Sequence, residues 1–495
     1  GAGLNGGNIT ISAGTYINGP NASEWKSTGG KGSTINGNAG NISLTAPTGI
    51  TLVTGSKLTA IAGTGAGSAG TSGDVTVNDG NAAVTTGGTN DGISGIINCG
   101  NFNKTGGGAL LISGVNTYTG ATTISAGTLK LGSTTALGTS SATTVSSGAV
   151  LDVGGITLIT ARPLTLNGTG ISNGGALLNS GAAATYSGLI TLGSASSIVG
   201  GTGTIAISNA GTITGATFGL TLGGAQGGTL SSILGTTSGT LAKVDAGTWT
   251  LTNSANTYTG STTITTGELR LNPSTTTATF ASQIVLNGGK LSTTGIAAGT
   301  TITSSSTLNL NANSSIDLGS NVHSLKFAAS DGISWSGTGL TINGWTGTAG
   351  ISGTAGKIFF GSAAGTLTGG QLLTIGFTGH AGTPILLGTG ELVPLAPAPT
   401  ITGFSPPSAC SGSGQLVVIT GTNFTGATVS FTGAPAITIS VDNSTQITAT
   451  LPAGATTGPI SVTTPGGTVV SSSSFTVIAL PASSNVTGGG HYCTG

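Results

Sequence analysis

The residues able to do chemistry are few and far apart. The 495 residues include eleven Asp and Glu, eleven Lys and Arg, three His and three Cys. Acid/base hydrolysis or calcium binding needs two or three carboxylates close together. Here the acids are scattered: Glu24, Asp74, Asp79, Asp91, Asp152, Asp245, Glu268, Asp317, Asp331, Glu391 and Asp442. Only Asp74 and Asp79 are near neighbours, and their loop context reads as turn residues. His323, His380 and His491 show neither an H-E-x-x-H pattern nor clustered metal spacing, and read as solvated turn residues. The stretch Gly170 to Gly174 fits G-x-S-x-G, the pattern of a nucleophile elbow, but no helix pattern follows it. The stretch Gly65 to Gly70 fits G-x-G-x-x-G without a βαβ context. Cys99, Cys410 and Cys493 give neither a zinc spacing nor a disulfide framework. A Cys410–Cys493 bridge, a pairing of Cys493 beyond the chain, and isolated thiols all stay open. No catalytic, cofactor-binding or metal-binding set emerges, so the chain reads as no enzyme and as needing no cofactor.

The elements that carry these residues are written in the composition. Charged residues are 4%, against about 25% in an ordinary soluble domain, and the formal net charge is zero. Phosphate recognition needs clustered Lys and Arg, which excludes a nucleic-acid partner. Gly numbers 93 and Pro only 15, with no G-X-Y period, which excludes collagen. Hydrophobic residues, 36% of the chain, recur as Ile, Val and Leu alternating with Thr and Ser, the period of a strand. Helix formers are scarce and Met is absent. With Gly1 first and no run of 18 apolar residues, the chain reads as a mature or truncated piece of something longer.

A repeat organises the N-terminal region. Short alternating strands begin at Gly7, Gly40 and Gly73, each 33 residues after the last. The first two are followed by a further strand near Tyr16 and near Ile50. Several short strands per fixed period indicate a solenoid, here a parallel β-helix with aliphatics inside and Thr and Asn outside. This part resembles the repeats of filamentous-haemagglutinin-type bacterial surface proteins.

A sharper repeat follows. Gly107–Gly120 carries N-T-Y-T-G and runs into T-T-I ending at Ile124, then G-T-L-K-L ending at Leu131. The same order recurs over Gly247–Gly260, Ile264 and Gly267–Leu271. The pattern resembles the autotransporter-associated β-strand repeat of secreted passenger proteins. Asn116 and Asn256 are expected to supply corners, through amide ladders or a left-handed backbone, with Tyr118 and Tyr258 covering the apolar corner beside them.

Aromatic residues then become denser: Phe327, Trp335, Trp345, Phe359, Phe360 and Phe377. This block is similar to the segment that ends the helices of the same family, and a solenoid must cover its last coil. The competing reading of Trp335, Trp345, Phe359, Phe360 and Phe377 is an aromatic glycan-binding strip. A Pro-rich stretch, residues 394–398, marks a boundary. Beyond it, short strands spaced by turns, an I-T-G-T-N-F stretch ending at Phe424 and a P-G-G turn at Pro465 resemble an IPT/TIG domain over residues 399–478. No Lys follows Lys357, so this sandwich cannot hold a Lys–Asn isopeptide link. The tail after Pro481 resembles the opening of another module in large proteins exported by type IX secretion.

Together these readings give an all-β chain, a right-handed parallel β-helix followed by an immunoglobulin-like β-sandwich. The expected divisions are 1–95, coils with the 33-residue repeat; 96–393, coils with the autotransporter-associated repeats and the aromatic cap; 394–398, linker; 399–478, sandwich; and 479–495, a linker or further module. The resemblances imply a secreted protein of a Gram-negative cell surface, a stalk with an Ig-like module that meets an unknown surface ligand, protein or glycan. Neighbouring modules of the same long chain are expected contacts. A self-assembling fibre, hence a homopolymer, is the alternative, and a carbohydrate- or ice-binding helix a third.

Overall fold

The computed structural model describes residues 1–14, 16–19, 23–53, 55–80, 92–159 and 162–479. They form two compact units, Gly1–Gly344 and Trp345–Gly495, the second described as far as residue 479.

The first unit is a parallel β-solenoid. One ladder begins with Ile9–Ser12, Ile42–Thr45, Val75–Asn78, Phe102–Lys104, Thr122–Ile124 and Thr143–Val145, each paired parallel and in register with the next. It continues through Leu164–Gly168 and the long strand Ile190–Gly200 to Leu308–Ala312. A second ladder stacks Gly227–Leu230, Thr248–Leu251, Glu268–Leu271, Lys290–Ser292, Ser314–Asp317 and Leu340–Asn343. Side chains alternate between faces, so a register kept from coil to coil puts like residues in columns. Ile11, Leu44 and Val77 form one such interior column, and Leu44 and Val77 are fully buried. Each aliphatic side chain so buried contributes about 1.5–3 kcal/mol.

The 33-residue period is the length of a coil, and it does not persist. Asn8 Oδ1 accepts the Asn41 N–H, and Asn41 Oδ1 accepts the Asp74 N–H, both across 33 residues. Asp74 then serves Asn101 across 27 residues, and Asn101 serves Ala121 across 20. The amide ladder thus survives while the coils shorten beneath it. Thr does not stay outside. Thr122, Thr143 and Thr262 are fully buried, which departs from the expectation of Thr as exterior decoration.

In the second unit a hairpin, Gly347–Thr348 with Ser352–Gly353, precedes Gly356–Phe360, which pairs antiparallel with Glu391–Val393. A one-turn helix, Gly369–Leu373, is held by a Thr368/Gln371 capping box. The sandwich follows. One sheet runs Thr400–Ser405, Leu416–Thr422, Gln446–Thr450, Ile439–Asn443. The other runs Ser408–Cys410, Gly467–Ile478, Gly458–Thr464, Thr428–Phe431, Ala434–Pro435. Between them lie Val417, Ile419, Phe424, Phe431, Ile447, Ile460 and Phe475. The Pro-rich stretch is bonded at both ends: Gly350 N donates to the Pro394 carbonyl (2.9 Å) and Asn423 Nδ2 to the Ala398 carbonyl (2.8 Å). A Cβ on Gly466 would lie 2.1 Å from the Pro397 carbonyl oxygen, so only glycine admits this approach.

Candidate functional site: polar groups buried at the coil corners

In a chain so poor in charge, the polar side chains that are buried are the ones with work to do. At the corners, Asn116 is 4% exposed; its Oδ1 accepts the Ile97 N–H (2.9 Å) and its Nδ2 donates to the Ala136 carbonyl (2.6 Å). One amide therefore joins the coil before to the coil after. Asn256 accepts the Leu234 N–H (2.8 Å), but its Nδ2 turns back to the Asn253 carbonyl (3.0 Å). Neither asparagine takes a left-handed backbone. Besides Asp245 (φ 60°) in the second repeat, the positive-φ corners of the two repeats are Gly127 (φ 67°) and Gly267 (φ 64°). There a Cβ would fall 2.2 Å from the Gly108 carbonyl oxygen and 2.3 Å from that of Asp245.

Replacing Asn116 by Leu leaves two buried backbone groups without partners, each costing about 1–3 kcal/mol. The expected loss is about 2–4 kcal/mol, read as faster exchange of the Ile97 amide, with Asn256→Leu costing about 1–3 kcal/mol because its Nδ2 bond stays within its own turn.

Tyr118 and Tyr258 are fully buried, and each phenol starts a short hydroxyl chain. Tyr118 meets Thr122 (2.8 Å), which donates to Ser140 (3.3 Å); Tyr258 meets Thr262 (2.6 Å), which meets Ser282 (2.6 Å). Burial raises both phenols, Tyr258 to about 12. Phe102 lies 5.8 Å from the Tyr118 ring.

Two lysines that sequence reasoning passed over share these corners. Lys104 and Lys243 are both fully buried, and each stands in an interior column: Val77–Lys104–Ile124 and Leu222–Lys243–Ile264. Lys243 Nζ donates to the carbonyls of Val244 (2.6 Å), Asp245 (2.7 Å) and Thr266 (3.0 Å), tying one turn to the next. Burial pulls its pKa down to about 8, against the charges of Asp245 and Glu268. Lys104 Nζ donates to the Gly106 and Ala126 carbonyls and sits 2.7 Å from Asp79 Oδ1. Asp79 stands at the turn its sequence context indicates, but it is only 1% exposed. Glu268 is buried too, at 7% exposed, but is flanked by the half-open Lys290 (2.7 Å) and Arg270 (2.8 Å). Burial pushes its carboxyl up, but these two cations outweigh that and leave it below the usual range.

The histidine reading also needs correction. His323 is 3% exposed on the strand His323–Phe327, with Nε2 on Thr293 Oγ1 (2.8 Å) and Nδ1 on the Asn321 carbonyl (2.7 Å). Burial lowers its pKa. His380 is exposed at its backbone turn, its ring edge-on to Trp345 at 5.1 Å; His491 lies outside the described residues. The G-x-S-x-G stretch forms a 3₁₀ turn, Ile171–Asn173, with an exposed Ser172 at φ 50°. Among the described residues no group of three His, Cys, Asp or Glu is placed to hold a metal.

The aromatics divide between the units. Trp335, half-buried in the first, donates Nε1 to the Leu308 carbonyl (3.1 Å). In the second, Trp345, Phe360 and Phe377 are buried, with Trp345 edge-on to Phe377 at 5.8 Å, and Phe359 is half-buried. Beside Trp345, Glu391 accepts from Ser352 Oγ (2.9 Å) and Gly353 N (2.8 Å), which pins the hairpin. Cys99 is a free buried thiol that burial pushes up to about 12, and Cys410 is disulfide-bonded. Cys493 lies outside the described residues.

The described residues thus form a repeat-built solenoid, its corners tied by Asn, Tyr and Lys, and an Ig-like sandwich. The family comparison agrees: residues 102–131 and 241–271 match the passenger-associated-transport-repeat, and residues 399–477 match the IPT/TIG domain. Neither a curated protein nor a solved structure matches the chain. These modules fit a surface-exposed structural or adhesive segment and are typical of non-catalytic proteins. Among the described residues no helix is long and apolar enough to cross a membrane.

Proposed function

We propose that the chain is a segment of a large protein exported to the surface of a Gram-negative bacterium, in which a stiff β-solenoid carries an Ig-like module for attachment or surface contacts. The observation that carries this reading is the pair of passenger-associated repeats set in a continuous parallel stack of coils. Every coil's backbone groups are met by its neighbours, which makes such a stack resist bending and local opening. The disulfide at Cys410 is a second support, because such bonds persist in oxidising compartments. The long chain's further modules are its expected neighbours. The target of attachment is a protein or glycan of another surface.

Antibodies to the solenoid, applied to intact cells that make the full protein, are expected to label structures projecting from the surface. Deleting the segment is expected to reduce attachment while leaving growth unchanged. Labelling only after permeabilisation, or attachment indifferent to the deletion, overturns the reading.

A further inference from the structure

The Asp79–Lys104 pair is a buried polar contact between successive coils of the solenoid. Nζ lies 2.7 Å from Oδ1 with the side chains 0% and 1% exposed, and the approach lies outside hydrogen-bond alignment. Lys104 fills a place that Val77 and Ile124 fill in the adjoining coils, so the amine is held from both sides along the column. The turn closes on the carboxyl as well: a Cβ on Gly106 would fall 2.2 Å from Asp79 Oδ1, a space only glycine leaves free. Carbonyls of Gly106 and Ala126 fix the remaining directions of the amine.

We propose that Asp79 and Lys104 condense to an intramolecular isopeptide bond that locks two successive coils together. In the reaction Nζ attacks Cγ of Asp79, the N–C bond forms, and one C–O bond breaks. The departing oxygen leaves as water, carrying two of the three ammonium protons. Carboxylate plus ammonium gives amide plus water, so no oxidant or reductant is needed, and the protons pass from the amine to the departing oxygen within the pair. Two features of the site favour the step. Holding amine and carboxyl in contact replaces a bimolecular encounter by an intramolecular one of high effective concentration. A buried ion pair carries a desolvation penalty that its attraction does not fully repay, whereas a neutral amide removes both charges from the interior. Burial also raises the carboxyl and lowers the amine, against the pull each charge exerts on the other, which enriches the acid and free-base forms that react.

Lys243 is the internal control. It occupies the equivalent column position in the second repeat, but its amine faces three carbonyls. The nearby Asp245 carboxylate is taken by the Gly224 N–H (2.7 Å). It remains a free amine.

The test is the mass of the purified, reduced and denatured chain. The expected mass is that of the sequence less one water. Trypsin is expected to cut after Lys243 but not after Lys104, leaving a single peptide from Leu58 to Lys130 that is lighter by one water. Asp79→Ala is expected to restore the full mass for its sequence and the cut after Lys104. A wild-type chain of full sequence mass, or one that loses water elsewhere while Lys104 is cleaved, overturns the proposal.

Discussion

Replacing Trp249 by Ala is expected to destabilise the coils around it by about 3–5 kcal/mol, the cost of emptying a large aromatic site that cannot collapse. Trp249 is fully buried, stacked between Gly228 and Leu269 in the second ladder. Its room is made by glycine: a Cβ on Gly228 would already lie 3.1 Å from the indole. The ring N–H donates to the Gly223 carbonyl (2.9 Å), so truncation also orphans a buried acceptor. In a solenoid each coil touches only its neighbours, and the damage is therefore local. Amides of residues 227–230, 248–251 and 268–271 are expected to lose at least about a hundredfold of hydrogen-exchange protection, while Ile42–Thr45 exchanges as before. Trp249→Phe separates the two contributions, since it keeps most of the volume and loses only the indole donor, at about 1–3 kcal/mol. Equal exchange in Trp249→Ala and wild type contradicts this account, and so does loss of protection across all coils at once.

The interior columns and the sandwich strands were legible because their signal is local. Alternation of apolar and small polar residues sets which face a side chain takes, and Ile42–Leu44 or Val75–Val77 can be read without knowing what lies above them. Lys104 and Lys243 were legible by the same rule. Each has the parity of a buried neighbour two residues back, Phe102 or Leu241, and each opens a matched repeat. Their charge argues for the outer face and so opposes that parity. The contact of Lys104 with Asp79 was not legible, because it depends on coil length. The 33-residue spacing of the first coils suggests no meeting of these two residues, and only the shortened coil between Asp74 and Asn101 brings Asp79 beneath Lys104. The choice between an amide ladder and a left-handed corner at Asn116 is likewise tertiary, since it rests on where Ile97 and Ala136 fall. His323 shows the same limit: only the stacking of Thr300–Ser304 on His323–Phe327 makes a histidine beside a glycine-rich turn an interior residue.

The buried titratable groups of the two repeats give the protein an unusual alkaline profile. Stability is expected to rise slightly between about pH 8 and about pH 9, then to fall steeply above about pH 10. The rising limb belongs to Lys243, whose folded pKa of about 8 lies below the ordinary lysine value of 10.5. Between these values the unfolded chain binds more protons than the folded one, so folding gains as pH rises, by up to about 3 kcal/mol once both forms are neutral. The falling limb belongs first to the Cys99 thiol, raised by burial from 9.0 to about 12, and then to the phenols. Tyr118, Tyr186 and Tyr258 are raised above 10.0 by burial, Tyr258 to about 12. Their contribution is complete below the unfolded value and is lost as pH climbs through the folded one, because the unfolded chain sheds its phenolic protons first. Tyr258 alone then costs about 3 kcal/mol, and Tyr118 and Tyr186 add to it. Denaturant unfolding or exchange protection followed from about pH 7 to about pH 12 is expected to show a maximum near pH 9. Lys243→Met is expected to erase the rise, whatever its effect on absolute stability. Tyr118→Phe with Tyr258→Phe is expected to soften the fall, at little cost, because Thr122 and Thr262 keep their bonds to Ser140 and Ser282. A monotonic decline from pH 8 in the wild type, or an unchanged fall in the double Phe variant, contradicts the assignment of these limbs to the buried corners.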